Sequence, residues 1–225
     1  MTGNNDRPEP DQYASPPCYM HELDPAYFGL SPQAGSAAAD VARWRAAERK
    51  RLLAQRLAVP AETRAEHALQ IARRLDALIG DPAGLIVSGY WPIRGEPDLR
   101  GWLGDLQRRG ARTALPIVVE KGAPLVFRLW RQGDPLERGV WNIPVPVAGE
   151  VVEPNIALAP LVGHDAHCYR LGYGGGYFDR TLARLAPSAI AIGVGYAEAA
   201  IATIYPQPFD IPMRHIVTER GSRTR

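Results

Sequence analysis

The residues best suited to chemistry lie close together in the run RLGYGGGYFDRTL, residues 170–182. Gly172, Gly174, Gly175 and Gly176 follow a strand-like segment and precede a helix-like one. Glycines so placed let backbone N–H groups approach an anion, and a helix N-terminus adds partial positive charge. Arg170 beside them supplies a planar, two-pronged donor for phosphate. Asp179, one helical turn further on, offers the kind of oxygen that magnesium takes. The loop lacks the Gly-Lys-Ser/Thr ending of a Walker loop, and its glycine spacing fits the dinucleotide fingerprint poorly. It is a candidate anion site whose ligand the residues alone leave open.

Other residues of chemical interest are scattered. Arg45 and Arg49, four apart in a basic helical stretch, share a helix face and can converge on one anion. Glu96, Trp141, Tyr177 and Asp210 stand near predicted element ends. Taken singly, each has an ordinary explanation. The arginine pair reads as a solvated face, Asp179 as an acid favoured by the helix dipole, and Asp210 as a turn residue. Glu96 beside Arg94 reads as a surface pair worth under about 1 kcal/mol, and Trp141 as core. Cys18 and His21 lie three apart, but the second pair of soft ligands that zinc needs is missing.

These residues need a frame. Residues 1–12 are polar and read as disordered. Residues 13–40 are proline-rich but carry Tyr13, Tyr19, Met20, Leu23, Tyr27, Phe28 and Leu30, which predicts an extended arm that docks on the body or a partner. A helix is expected from Asp40, with the aspartate as N-cap, up to Pro60. In a second helix Ala65, Ala68, Ala72, Leu75 and Ile79 form the expected buried stripe, ended by Gly80-Asp81-Pro82. Apolar runs at 84–90, 112–119, 125–130, 155–163, 188–196 and 215–219 read as strands, with helices at 98–109 and 175–186 and a loop-rich stretch at 131–155. The alternation predicts an α/β fold: an open, mostly parallel sheet with helices on both faces, three-layered, one domain over 41–221 behind an N-terminal arm over 1–40. Ligands in such sheets bind beyond the carboxyl ends of the strands.

Charge and composition narrow the classes. The chain has 225 residues and a net charge of +2. Six acids against one base in residues 1–40 leave +7 on the rest, and a basic body suits an anionic ligand. No aromatic–basic motif of a nucleic-acid reader is visible. The longest apolar runs are too short to span a membrane, the polar start is unlike a signal peptide, and two cysteines suit a reducing compartment. A cytoplasmic protein is expected.

The run Arg170 to Arg180 resembles the signature loop of the 5-formyltetrahydrofolate cyclo-ligase (methenyltetrahydrofolate synthetase) family. Further landmarks of that family recur in order: Arg45 and Arg49, Glu96 within YWPIRGEPDL, Leu115-Pro116, and Trp141-Asn142-Ile143-Pro144. Pro160 to Asp165, Phe209 to Met213 and Val217-Thr218-Glu219 complete the series. The resemblance covers about residues 41–220. It departs at Cys168, where a glycine is usual, at Phe178 for tyrosine, at Phe209 for histidine and at Arg214 for aspartate.

The resemblance implies an ATP-dependent ligase that cyclises 5-formyltetrahydrofolate to 5,10-methenyltetrahydrofolate, releasing ADP and phosphate. Its ATP site would comprise Arg45, Arg49, Arg170, Leu171, Gly172, Tyr173, Gly174, Gly175, Gly176 and Asp179, with Arg170 and Asp179 catalytic. Glu96, Trp141 and Tyr177 would bind the folate, and Asp179 and Asp210 the Mg²⁺. Small molecules, ATP and 5-formyltetrahydrofolate, are the expected partners of a monomer or weak homo-oligomer, with no nucleic acid or membrane. Two other readings stay open: a non-catalytic nucleotide or folate binder on the same fold, and an ATP-dependent ligase for another formylated substrate.

Overall fold

The computed structural model describes residues 37–225; what the sequence led us to expect of residues 1–36, including the arm, Cys18 and His21, lies outside them. Two helices come first, α1 (Ala37–Ala58) and α2 (Ala61–Ile79). The α1 helix begins three residues before the expected cap, so Asp40 sits in its first turn, where it pairs with Arg43 and suits the helix dipole. The expected buried stripe of α2 is largely present: Ala68 and Leu75 are buried and Ala72 and Ile79 pack on the core, while Ile71 joins it and Ala65 is exposed.

The central sheet has eight strands. In chain order they are β1 (Ile86–Ser88), β2 (Arg112–Ile117), β3 (Val126–Leu129), β6 (Val151–Val152), β7 (Ile156–Pro160), β10 (Ile190–Val194), β11 (His215–Val217) and β12 (Ser222–Thr224). Two hairpins stand apart, β4 (Leu136–Arg138) with β5 (Pro144–Pro146) and β8 (Gly163–His164) with β9 (Arg170–Leu171). The spatial order is β12-β11-β10-β7-β1-β2-β3-β6. The five central strands, β11 to β2, are parallel, and β12 and β3 lie antiparallel to their neighbours.

Each central strand is covered on both faces, which is why it reads as a continuous apolar run. The side chains alternate by size. On β7, Ala157 and Ala159 face one cluster with Leu52 and Leu53 of α1 and Leu182 and Leu185 of α4 (Tyr177–Leu185). Ile156 and Leu158 face the other, with Ile71 and Leu75 of α2 and Trp102, Leu103 and Leu106 of α3 (Arg100–Arg108). Helices thus lie on both faces, and the three-layer α/β expectation holds. Among the described residues no helix is long and apolar enough to cross a membrane.

The topology locates the site. From β1 the chain moves outward to β2; from β7 it moves the other way, to β10 and β11. The direction therefore reverses between β1 and β7, which pair through Val87–Ile156 and Ser88–Ala157. A crevice opens beyond the strand ends at such a reversal. The segment after β1 carries Glu96, and the one after β7 leads through the β8–β9 hairpin into the glycine loop.

Candidate active site

The glycine loop joins β9 to α4. Gly174 and Gly176 have φ of +103° and +63°, a left-handed backbone that glycine adopts without a Cβ penalty. The amides of Gly174, Gly175 and Gly176 donate to no acceptor among the described residues. Over them lies Arg49. Its Nε donates to the Gly172 carbonyl at 2.7 Å, and a Cβ on Gly174 would sit 3.5–3.6 Å from both of its terminal nitrogens. Neither terminal nitrogen has a hydrogen-bond partner among the described residues. Burial, and then the nearby Arg45, push the Arg49 guanidinium down to about 10. A cation so placed, beside unpaired amides, is short of an anion.

Arg45, expected at the ATP site, is engaged by the segment 204–210. Only 8% exposed, it donates from Nε to the Ile204 carbonyl at 2.9 Å and from Nη2 to the Tyr205 carbonyl at 2.9 Å. It also grips Asp210 with both terminal nitrogens, at 3.2 and 2.5 Å. Arg45 is thus a clamp on the segment 204–210, and Asp210 further accepts the Gln207 amide at 2.6 Å.

Arg170 packs over the Phe178 ring, 5.3 Å from its centroid, and donates to Asp179 Oδ2 at 2.8 Å. The other Asp179 oxygen accepts from the Ile211 amide at 3.3 Å, which brings Asp179 beside Asp210. A Cβ on Gly172 would lie 2.5 Å from Arg170 Nη1, so glycine is needed there. Among the described residues no three His, Cys, Asp or Glu side chains gather as a metal cage. Two adjoining carboxylates are nevertheless what magnesium in nucleotide sites takes from a protein, phosphates and water supplying the rest.

Two aromatic residues extend outward from the loop. The Tyr173 hydroxyl donates to Glu96 Oε1 at 2.8 Å and accepts from Arg56 Nη1 at 3.2 Å. Tyr177 meets Trp141 edge-to-face, with ring centroids 5.3 Å apart. Trp141 stands 39% exposed at the tip of the β4–β5 hairpin, in a short 3-10 turn (Val140–Asn142) with its own φ at +55°. Such a backbone is costly for a non-glycine residue and is common at ligand sites. The stretch 131–155 is loop-rich, as expected, and carries this short hairpin within it. Its strands are only three residues long, and β5 carries Pro144 and Pro146, which hides them from any alternation test.

Glu96 is 6% exposed. Its Oε2 accepts from the Ile93 amide at 2.9 Å. Burial pushes the carboxyl up to about 7, against the pull of that bond, of Arg56 and of the Tyr173 hydroxyl. From the ordinary 4.5 up to about 7 the unfolded chain ionises first, so folding stability falls as pH rises through that window. Glu96→Gln removes this term. Relative to wild type it is expected to gain on the order of 2–3 kcal/mol between pH 4 and pH 8, read from urea unfolding at both values. An unchanging difference would mean that Glu96 titrates normally.

Sequence reasoning missed Arg56, which is 4% exposed and also donates to the Leu161 carbonyl. Arg45, Arg49, Leu52 and Arg56 follow 4, 3, 4 spacing, one face of α1; that periodicity was the available signal. The departures from the family pattern also find their places. Cys168 is buried with φ at +63°, the left-handed conformation that explains a glycine there. Arg214 turns to the Arg225 carbonyl, and Phe178 packs against the core.

An α/β protein with an anion cradle at its sheet's reversal point, flanked by a buried carboxylate and an aromatic pair, has the form of a nucleotide-using enzyme. Residues 41–219 match the sequence model of the 5-formyltetrahydrofolate cyclo-ligase family. A 5-formyltetrahydrofolate cyclo-ligase of Mycolicibacterium smegmatis is 32% identical over 185 residues, covering 76% of this chain and 92% of that protein. The one from Haemophilus influenzae is 26% identical over 135 residues, 57% of this chain and 72% of that protein. In structure, the 5,10-methenyltetrahydrofolate synthetase of Aquifex aeolicus superposes with a TM-score of 0.70 at 27% identity, covering 80% of this chain and 92% of that one. The synthetase of Mycoplasma pneumoniae shares the fold, with a TM-score of 0.65 at 23% identity over 78% of this chain and 98% of that one. The chain belongs to the 5-formyltetrahydrofolate cyclo-ligase family.

Proposed function

We propose that the protein uses MgATP to close 5-formyltetrahydrofolate to 5,10-methenyltetrahydrofolate. The observation that carries this reading is the pairing of three acceptorless glycine amides with the two unpartnered terminal nitrogens of Arg49. Together they form a cradle for phosphate, the glycines standing in the family's signature loop and Arg49 reaching it from α1.

In this reading the N5-formyl oxygen attacks the γ-phosphorus of ATP and ADP leaves. The N10 nitrogen then attacks the activated formyl carbon and gives up its proton, and the carbon–oxygen bond breaks with its electron pair leaving on the phosphate, which can carry that proton away. Phosphorylation is needed because an amide oxygen leaves poorly as hydroxide. The protein's share is to position the groups and to offset the charge on the phosphoryl oxygens. Gly174–Gly176, Arg49 and Arg170 hold the phosphates, and Arg45 keeps the segment 204–210 in place. Asp179, held by Arg170, and Asp210, held by Arg45, would be the protein ligands of a magnesium ion, which would offset phosphate charge when bound with ATP. Glu96 accepts N–H groups of the pterin, and Trp141 and Tyr177 flank its rings.

The test mixes the protein with MgATP and 5-formyltetrahydrofolate and follows methenyltetrahydrofolate by near-UV absorbance, with an ATP-free control. Product formed only with ATP supports the reading. Folded protein that binds ATP and forms no product overturns it in favour of a binder or another formylated substrate. In the same assay Trp141→Ala is expected to raise the KM for the folate roughly tenfold, the worth of one aromatic contact, and to leave the KM for ATP within about twofold.

A further inference from the structure

We propose that Arg56 is a positioning residue for the folate: through the Tyr173 hydroxyl it keeps the Glu96 carboxylate ionised and aimed. The inference rests on the reading of Glu96 as the pterin acceptor and adds a residue that makes no contact with substrate.

The geometry is a three-member chain through the protein. Arg56 lies on the last turn of α1, with one terminal nitrogen fixed on the Leu161 carbonyl and the other on Tyr173 Oη. A hydroxyl that accepts from a cation is polarised to donate more strongly, and Tyr173 donates to Glu96 Oε1. The remaining Glu96 oxygen is held by the Ile93 amide. The loop bearing Glu96 is seated on Arg56 as well, since a Cβ on Gly95 would touch the Arg56 stem at 3.5 Å.

The charged and titratable groups around Glu96 are few. Arg56 comes from α1 and Arg64 from α2, the latter also packed on Gly95. Arg94 belongs to the same loop and lies 5.8 Å from the Tyr173 ring centroid. Tyr90 and Tyr196 spend their hydroxyls on the Pro97 and Gly95 carbonyls. Of these groups only Arg56 is joined to the Glu96 carboxylate through a hydrogen-bonded intermediary. Burial alone favours the neutral acid, which offers a pterin one acceptor oxygen in place of two. The chain from Arg56 opposes that drift.

The experiment titrates Glu96 in the full chain by carboxyl ¹³C NMR, its resonance assigned by loss in Glu96→Gln. Wild type, Tyr173→Phe, Arg56→Lys and Arg56→Met are compared. Tyr173→Phe and Arg56→Met are expected to raise the midpoint by about one pH unit, and Arg56→Lys to stay within about half a unit of wild type. If Arg56→Met fails to fold, Tyr173→Phe and Arg56→Lys decide. A Tyr173→Phe midpoint equal to wild type overturns the proposal. The titration needs no turnover, so its outcome is separate from that of the methenyl assay. In turning-over protein the acid limb of kcat/KM for the folate is expected to shift with the midpoint; a limb that stays put while the midpoint moves overturns the functional part.

Discussion

Arg49→Met is expected to lower kcat/KM for ATP by about 10²–10³-fold, the usual cost of removing one preorganised charge-stabilising donor, and to leave the melting temperature unchanged or higher. The two halves have one cause. The Arg49 guanidinium is desolvated and lies near Arg45 and Arg170, effects that Asp210 and Asp179 only partly offset, and among the described residues it has only the Gly172 carbonyl as a hydrogen-bond acceptor. Its charge is therefore uncomfortable in the free protein and is relieved when phosphate arrives. Methionine keeps the packing of the stem and removes the strain. Strain kept at a binding site for the ligand's benefit commonly trades stability for function. Thermal unfolding with and without ATP reads both halves. A large fall in melting temperature would show that Arg49 holds the fold together; an unchanged kcat/KM would remove it from the phosphate site.

Asp210→Ala is expected to do the reverse and strike the fold first. The Arg45 and Asp210 side chains are 9% and 8% exposed. Breaking a buried pair by removing one partner costs about 3–5 kcal/mol, because the other charge stays buried. For a chain of this size that is a loss on the order of 10 °C or more in melting temperature. The double substitution Arg45→Met with Asp210→Leu is expected to recover most of it, since hydrophobic replacement of a buried pair is often neutral. Calorimetry of the three proteins tests this. A melting temperature untouched by Asp210→Ala would leave Asp210 with a purely ligand-binding role.

How much of this was legible in the sequence depends on what each residue's neighbours reveal. The central strands and the glycine loop were, because apolar runs buried on both faces and four close glycines are local signals. Strand β12 was not: Ser222–Thr224 is polar and exposed, and only its pairing with β11 makes it a strand. The arginines of α1 were half legible. Their type and spacing suit an anion-binding face, but what each of them meets depends on residues more than 100 positions away. Arg45 finds Asp210 and the Ile204 carbonyl, and Arg56 finds Leu161. A sequence reading takes a basic helix as solvated; here it turns Arg45, Arg49 and Arg56 inward and leaves Arg43 and Arg51 exposed. The pairing of Glu96 with Tyr173, 77 positions apart, was invisible for the same reason.

That inward-facing helix also bears on the order in which the chain assembles. The hydrogen bonds that arginines 45, 49 and 56 make across the fold all join α1 to residues 105 to 165 positions later. Loops of that length close at an entropic disadvantage, and a chain made from its N-terminus has none of these partners when α1 is complete. During synthesis α1 must therefore wait in water for most of the polypeptide to follow. An apolar helix would wait as an aggregation hazard, whereas one whose docking face alternates arginine with leucine stays hydrated until its acceptors exist. The same side chains that later tie α1 to the Ile204, Gly172 and Leu161 carbonyls thus serve first as solubilising groups on a helix that must await its partners.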